Sequence, residues 1–385
     1  MSPSRILVTG STGFIGARLC ERLTLDYKLP YRALVRNFSH APRIARLGAE
    51  MVGGDLDDLA SLDRALAGCD MVVHLAYSDG SQTRRLIQAC RKRSVQRFVH
   101  MSSIAVHGAN PGPDSAREET ARIGRYPGQE YSNMKAAAEM AVQRAIGDGL
   151  KAVILRPTIV YGPYGPFVTS IVEAARERGV VTLLDEGHGI CNAVYVDDVC
   201  DAIHAAIETE RGLGAAFFVT ADRAVTWREF NLAFAEMVVP PPRIASVSSD
   251  EVRRYWASQR PTLKSNIAAL GRMATSADFH RQLSSVPVFR SLITGSKRAA
   301  KGVLSTERVL ALKNLRGTPA AAGVGAEPGM AWPDLGRVTR ECMGIEFSNE
   351  RARTQLGWQP RYDLRGGAAL TRTWLEFANA LSANT

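Results

Sequence analysis

No Cys-x-x-Cys pair occurs in this chain, and its six cysteines (Cys20, Cys69, Cys90, Cys191, Cys200 and Cys342) are scattered. Such spacing excludes a thiol-ligated zinc site and a disulfide framework, and it suits a reducing, cytoplasmic setting. Cys191 lies near a substrate-loop position but is read as an inert thiol, and no metal site is expected. No apolar run approaches the roughly 20 residues needed to span a bilayer. With a strand-like run at Arg5–Thr9, no secretory signal is expected ahead of it. No internal repeat is evident. What remains is ordinary for a globular protein: 385 residues, 45% hydrophobic and 22% charged. A chain of this length buries a substantial core, in one large domain or two smaller ones.

Acidic residues are scarce in one place. Residues 251–320 hold 13 Lys/Arg against Glu251, Asp278 and Glu307, which accounts for the whole net charge of +10. The basicity is therefore local. Within it, Pro287 can open a helix. Val288, Phe289, Leu292, Ile293, Val303 and Leu304 then share one face, with Arg290, Lys297, Arg298 and Lys301 around the other. A basic amphipathic stretch over 286–304 can rest on an anionic membrane surface, such as the inner face of a membrane, or simply pack on its own domain. Nucleic acid is not the expected partner, because the segment has few aromatics and no recognition motif.

From residue 5 to about 160, short apolar runs alternate with helical patterns, which argues for a parallel sheet covered on both faces. The expected strands are Arg5–Thr9, Tyr31–Val35, Glu50–Gly53, Met71–Leu75, Arg97–Met101 and Ala152–Arg156. The expected helices include Gly13–Thr24, Leu59–Ala67, Thr83–Arg93 and Gln129–Ile146. The fold class is α/β, a doubly wound parallel sheet with its ligand beyond the carboxyl ends of the strands. Residues 1–165 would form this domain, with 193–222 returning to its sheet. Residues 166–192 and 223–385 would form a smaller α+β substrate domain, carrying a basic helical insertion at about 250–340.

Gly10, Gly13 and Gly16 stand between the first strand and a helix. Glycines so spaced allow a tight turn, close approach to a pyrophosphate and tight helix packing, with phosphate oxygens meeting free N–H groups at the helix start. A carboxylate about 20 residues further on would hold the ribose hydroxyls of NAD. Arg36 stands there instead, where a guanidinium pairs with a 2′-phosphate. NADP(H) is therefore favoured over NAD(H). Asp55 and Leu56, after the third strand, are candidates to bracket the adenine.

Tyr131 and Lys135 are one helical turn apart and share a face. A free tyrosine, with a pKa of about 10, is a poor base at neutral pH. A nearby ammonium and a cationic nicotinamide favour the phenolate. Ser103, at the end of the fifth strand, can hydrogen-bond the same substrate oxygen. Glycine loop, serine and Tyr/Lys pair, in this order, point to hydride transfer at a carbon bearing oxygen. A cofactor-binding scaffold or sensor without turnover is the non-enzyme alternative, and the presence of all three side chains favours the enzyme.

Thr9-Gly-x-x-Gly-x-x-Gly16, His74-Leu-Ala76, Ser102-Ser103, Tyr131-x-x-x-Lys135, Arg156-Pro-x-x-Val-Tyr-Gly-Pro163 and Tyr195-Val-Asp-Asp-Val199 together resemble the extended short-chain dehydrogenase/reductase family. The sugar-nucleotide epimerase/dehydratase branch is the most similar. Glu350-x-Ala-Arg-x-x-Leu-Gly-Trp358-x-Pro360 is similar to its C-terminal segment, so the likeness covers residues 4–245 and 341–380. It implies a Rossmann domain, with Tyr131 as acid/base, Ser103 on the substrate oxygen and Lys135 on the nicotinamide ribose. Thr12, Phe14, Ile15, Leu75, Ala76 and Pro157 would line the cofactor, and Tyr161 and Asn192 would face substrate. A homodimer built through the Tyr131 helix is a further implication.

Several positions depart from that pattern. Dehydratases of this branch carry Asp-Glu after the active-site Ser/Thr, whereas Ile104-Ala105 follow Ser103 here; dehydration is disfavoured. Ala76 and Ser103 are 27 residues apart, which trims a substrate-facing loop. Asp79 stands near the place of a usual Asn. The Arg-Pro-Gly-Asp stretch that grips a sugar nucleotide's diphosphate is missing, leaving Arg337 or Arg340 as substitutes. The leading expectation is a nucleotide-sugar epimerase or 4-ketoreductase. An NADPH-dependent ketoreductase acting on a non-sugar or lipid-linked substrate, resembling dihydroflavonol reductase or a hydroxysteroid dehydrogenase, is the alternative.

Overall fold

A computed structural model describes residues 5–108, 111–118, 120–259 and 330–382 of the chain. It contains two compact units, Met1–Ser249 with Gly329–Thr385, and Asp250–Pro328. The expected membrane-contact stretch 286–304 lies outside the described residues. In the second unit the described part is the helix α9 (Ser249–Ser258), whose first residue still belongs to the first unit.

The first unit begins β1 (Ile6–Thr9), α1 (Phe14–Leu25), β2 (Tyr31–Val35), α2 (Pro42–Ala45), β3 (Glu50–Gly53), α3 (Leu59–Leu66), β4 (Met71–His74), α4 (Gly80–Lys92), β5 (Arg97–Met101), α5 (Glu130–Gly147) and β6 (Ala152–Pro157). It continues with β7 (Ile159–Tyr161), α6 (Pro166–Arg178), β8 (Val180–Leu184), β9 (Ile190–Cys191), β10 (Ala193–Tyr195), α7 (Val196–Glu208), β11 (Ala216–Val219), β12 (Val225–Thr226), α8 (Trp227–Ala235) and β13 (Arg243–Val247). After the second unit come α10 (Leu335–Glu341) and α11 (Leu364–Phe377).

Seven parallel strands form the main sheet in the order β11-β6-β5-β4-β1-β2-β3. Period-two alternation sends neighbours to opposite faces. Ile6 and Val8 join Val73, Val99 and Val153 on one side, under Leu19 and Leu23 of α1 and Val199 and Ile203 of α7. Leu7 joins Val72, Phe98 and Ile154 on the other, under Leu62 of α3, Leu86 of α4 and Val142 of α5. Burial on both faces explains why these strands read as unbroken apolar runs.

Residues 193–222 return to this sheet only in part. β11 pairs with β6, whereas β10 does not join; it pairs in parallel with β7 in a separate two-stranded sheet. Short pairs β9–β12 and β8–β13 follow. They surround a second core of Phe230, Phe234, Trp227, Tyr195 and Tyr161. The expected substrate residue Tyr161 is thus a core residue, 1% exposed, with its hydroxyl donating to the Asp363 carbonyl. An aromatic in a Gly/Pro-rich loop reads as accessible, yet here its ring is walled by Tyr195 and Phe230.

The chain runs from β1 outward to β2 and β3, then crosses back to β4 on the other side of β1. A crevice opens at that reversal, beyond the carboxyl ends of β1 and β4. On one face of the sheet α7 is tied to α1, since Asp197 takes Arg18 Nε and Nη2 at 2.6 and 2.7 Å. Asp198 holds the C-terminal segment, accepting from the Arg361 and Tyr362 amides. The two adjacent aspartates therefore act as clamps between distant parts of the chain.

Candidate functional site

The glycine loop is shaped for close approach. Gly10 has φ +68°, and a Cβ there would lie 2.6 Å from the Ala76 amide nitrogen. A Cβ on Gly16 would lie 2.0 Å from the Gly10 carbonyl oxygen, so this position admits only glycine without backbone movement. Gly13 is the N-cap of α1 and supplies no capping side chain, and the first turn carries no acid. Its N–H groups and the positive end of the helix thus face the crevice without an internal anion, an arrangement that fits a pyrophosphate. Ser11, which the sequence pattern did not single out, ties the loop to β2 by donating to Leu34 O at 3.0 Å.

Opposite the loop, the buried His74 ring bonds Thr9 Oγ1 at 2.7 Å through Nδ1 and Ser78 Oγ at 2.9 Å through Nε2. Burial pushes its pKa down to about 3, so the imidazole is neutral. Thr9 Oγ1 also accepts the Ala76 amide at 3.3 Å. This network fixes the Leu75–Ser78 turn over Gly10. Asp79, standing near the family's usual Asn, is spent on a capping box at the start of α4 with Gln82.

A cleft of about 330 Å³ follows, lined by Gly10, Gly13, Phe14, Ile15, Gly16, Leu75, Tyr77, Met101, Ser102, Ser103, Tyr131, Lys135, Pro157 and Thr158 among others. Of the cofactor candidates, Thr12, Arg36, Asp55, Leu56 and Ala76 fall outside this lining. Arg36 is exposed directly beyond β2 and Asp55 lies just beyond β3, on the same carboxyl edge as Gly10. Asp55 Oδ1 accepts the Asp57 amide in a local turn. Leu56 is buried against Leu34 and Leu62, a core contact.

Tyr131, Lys135 and Glu139 stack along one face of α5. Lys135 is buried and its Nζ donates to the Met101 carbonyl at 3.1 Å, at the end of β5. Burial lowers its pKa to about 8, and Glu139 opposes that fall. Glu139 is fully buried; Arg156 on β6 grips it through Nε at 3.1 Å and Nη2 at 2.5 Å. The Ser102 hydroxyl donates to the same carboxylate, and Gln143 Nε2 donates at 3.0 Å. One buried carboxylate thus joins α5, the end of β5 and β6. Sequence reasoning missed this link, although Glu139 continues the four-residue spacing of Tyr131 and Lys135.

Tyr131 is 47% exposed. Enclosure of its phenol pushes the pKa up, the Ser103 hydrogen bond pulls it down, and Tyr77 pushes it up again. The hydroxyl of Ser103 is thus a side chain that favours phenolate here. Tyr77 was also missed: it stacks on Tyr131 with centroids 5.9 Å apart and planes at 16°. No sequence signal marks it beyond its place after His74-Leu-Ala76.

A second cleft, of about 620 Å³, shares Ser103, Tyr131, Thr158 and Phe167 with the first. Its other walls include Ile104, Ala105, Ile159, Leu335, Met343 and Arg340. The two clefts meet at Ser103 and Tyr131. Asn192, expected to face substrate, is buried elsewhere: its Nδ2 donates to Ile345 O and its Oδ1 accepts the Phe347 amide. Both ends of that amide pin the segment after α10, because a buried amide must satisfy its polar atoms. Cys191 is likewise a buried core residue. Among the described residues no group of three His, Cys, Asp or Glu could hold a metal, and no helix is long and apolar enough to cross a membrane.

A family model for the NAD dependent epimerase/dehydratase family matches residues 6–218. The chain is 27% identical over 300 residues to a 4-hydroxy-2-methyl-3-oxo-4-farnesyl-3,4-dihydroquinoline-1-oxide ketoreductase of Stigmatella aurantiaca, covering 71% of this chain and 89% of that protein. It is 28% identical over 266 residues to a 2-alkyl-3-oxoalkanoate reductase of Shewanella oneidensis, covering 62% and 67%. Among solved structures, a UDP-glucose 4-epimerase of Thermotoga maritima with UDP-glucose superposes with a TM-score of 0.65 at 18% identity, covering 97% and 99%. At that identity the last likeness speaks for the fold alone.

Proposed function

The chain belongs to the NAD dependent epimerase/dehydratase family, and from that premise we propose that it interconverts a secondary alcohol and a ketone on a largely apolar substrate, with NADP(H) as the favoured cofactor. The observation that carries this reading is the meeting of the two clefts at Ser103 and Tyr131, the second exposing more apolar than polar surface, with Ile104, Ile159, Phe167, Leu335 and Met343 beside the polar Gln129, Ser132 and Thr339. Two relatives whose names are those of ketoreductases of non-sugar substrates support it. A nucleotide sugar, the leading expectation from the sequence, would ask for several cations along its diphosphate. Arg340 is the one cation among the described residues of this wall. Dehydration has little support either, since the residues after Ser103 are Ile104 and Ala105.

The nicotinamide supplies or accepts the hydride when bound. In reduction Tyr131 gives its phenolic proton to the ketone oxygen as the alcohol forms; in oxidation the phenolate takes it back. Ser103 donates a hydrogen bond to the same oxygen and holds it against Tyr131. Lys135, anchored on Met101 O, places its ammonium on the Tyr131 side of the first cleft, within reach of a ribose.

In the oxidative direction kcat/KM should rise with pH as Tyr131 ionises, because its neutral phenol cannot accept a proton. Ser103→Ala removes the hydrogen bond that lowers that pKa, so the rising limb should move to higher pH; an unmoved limb would separate Ser103 from Tyr131. Arg36→Ala should lower kcat/KM for NADPH by about 10- to 100-fold, the worth of a charged hydrogen bond, while leaving NADH nearly unchanged. Wild-type protein that uses the two cofactors equally, or NADH better, would overturn the NADP(H) preference.

A further inference from the structure

The second cleft has one cation in its described wall, and that cation is incompletely satisfied. α10 begins at Asp334, whose Oδ1 accepts the Arg337 amide at 2.7 Å. The helix then carries Arg337, Arg340 and Glu341 within little more than one turn. Arg337 is committed: its Nε donates to Glu341 Oε1 at 2.6 Å and its Nη2 to Thr182 O at 2.5 Å. Arg340 approaches the same Oε1 only to 3.9 Å, too far for a hydrogen bond. Its guanidinium carbon instead lies 5.3 Å from the Phe167 ring centre and 6.0 Å from that of Trp227. Its Nε is buried without a hydrogen-bond partner, and burial pushes its pKa down.

The Arg340 side chain is 36% exposed, but its Nε is shut away from water with only ring faces and a shared carboxylate nearby. An oxyanion would repay that loss with two parallel hydrogen bonds. Charge also sets a direction. The other charged group of the described lining is Glu130, next to Tyr131, so an anion on the substrate is repelled from the reacting end and drawn to α10.

Resting on the function proposed above, we infer that Arg340 is a specificity residue that recognises a carboxylate on an otherwise apolar substrate, whose alcohol or ketone carbon lies at Tyr131. The aliphatic part would run between Phe167, Ile159 and Leu335. Arg337 then serves to neutralise Glu341, which leaves the charge of Arg340 for the ligand.

Trp227 beside Arg340 offers a readout that does not depend on turnover. Tryptophan fluorescence would be titrated with decanoate, decanol and decyl phosphate, in wild type and in Arg340→Gln and Arg340→Lys. Decanoate should bind wild type at least about 10-fold more tightly than decanol, and R340Q should lose about 10- to 100-fold for decanoate with decanol unchanged. R340K, which keeps the charge without the planar fork, should fall between. Equal binding of decanoate and decanol to wild type, or an equal loss of both in R340Q, would overturn the inference. So would decyl phosphate binding well ahead of decanoate, which assigns the site to a phosphate. Kinetics with a 2-alkyl-3-hydroxyalkanoate and the matching alcohol without the carboxylate, each with NADP⁺, separate the two readings. Carboxylate-selective binding with no oxidation of either alcohol would defeat the proposed reaction and leave the role of Arg340 standing.

Discussion

Tyr131→Phe should reduce turnover by about 10³-fold while leaving cofactor affinity within a factor of about two, within the range set by loss of a general acid/base. On the barrier that is about 4 kcal/mol. The substitution keeps the ring, and with it the stack on Tyr77 at 5.9 Å. It removes only the hydroxyl, whose ionisation Ser103 favours. Its effect should therefore appear in kcat far more than in KM, in steady-state assays beside a direct titration of bound NADPH. Activity within about 10-fold of wild type would remove Tyr131 from the proton transfer and leave Lys135 or Ser103 to be reconsidered.

Glu139→Ala should destabilise the fold by about 3–5 kcal/mol, the usual cost of breaking a buried pair and leaving one charge behind. Arg156, 4% exposed, would keep its guanidinium in the interior with its partner gone, and Ser102 would lose its acceptor. Glu139→Gln retains an oxygen for Ser102 and should cost less. Urea denaturation at neutral pH is the measurement, read as a fall in midpoint with unchanged slope. A loss below about 1 kcal/mol would mean that water or rearrangement satisfies Arg156. The same carboxylate opposes the burial-driven fall in the Lys135 pKa, so its removal should also make that ammonium easier to neutralise. Stability and the charge of Lys135 are in this way linked through one side chain on α5.

Much of the sheet was legible in the chain because its strands are buried on both faces. Tyr31–Val35 and Arg97–Met101, buried at every residue, occur where apolar runs place them, and the half-buried edge strand Glu50–Gly53 follows the same short run. The glycine loop was legible because a Cβ at Gly10 or Gly16 collides with backbone, a constraint that the spacing of glycines records directly. Less legible was β10, whose apolar run resembles any short strand. Its pairing with β7 instead of β6 depends on which edge is open, and that is a property of the assembled sheet.

The site shows the same division. Local periodicity aligned Tyr131 with Lys135, since four residues make about one helical turn. It could not say that Glu139, one turn further, meets Arg156 seventeen residues away, nor that Tyr77 lies over Tyr131. Tyr161 and Asn192 stand in loop-like sequence, but their polar atoms are consumed by Asp363, Ile345 and Phe347. Between Arg337 and Arg340, three residues apart on one helix, the sequence offers no choice. Thr182 and Glu341 engage the first and leave the second in the wall of the cleft. The order of chemical groups along the chain thus determined the family, the glycine turn and the Ser103, Tyr131 and Lys135 set, because each rests on short-range spacing. Which buried charges pair, which side chains reach the cleft and which cation is left for a ligand depended on residues far apart in sequence, and only the tertiary packing decided them.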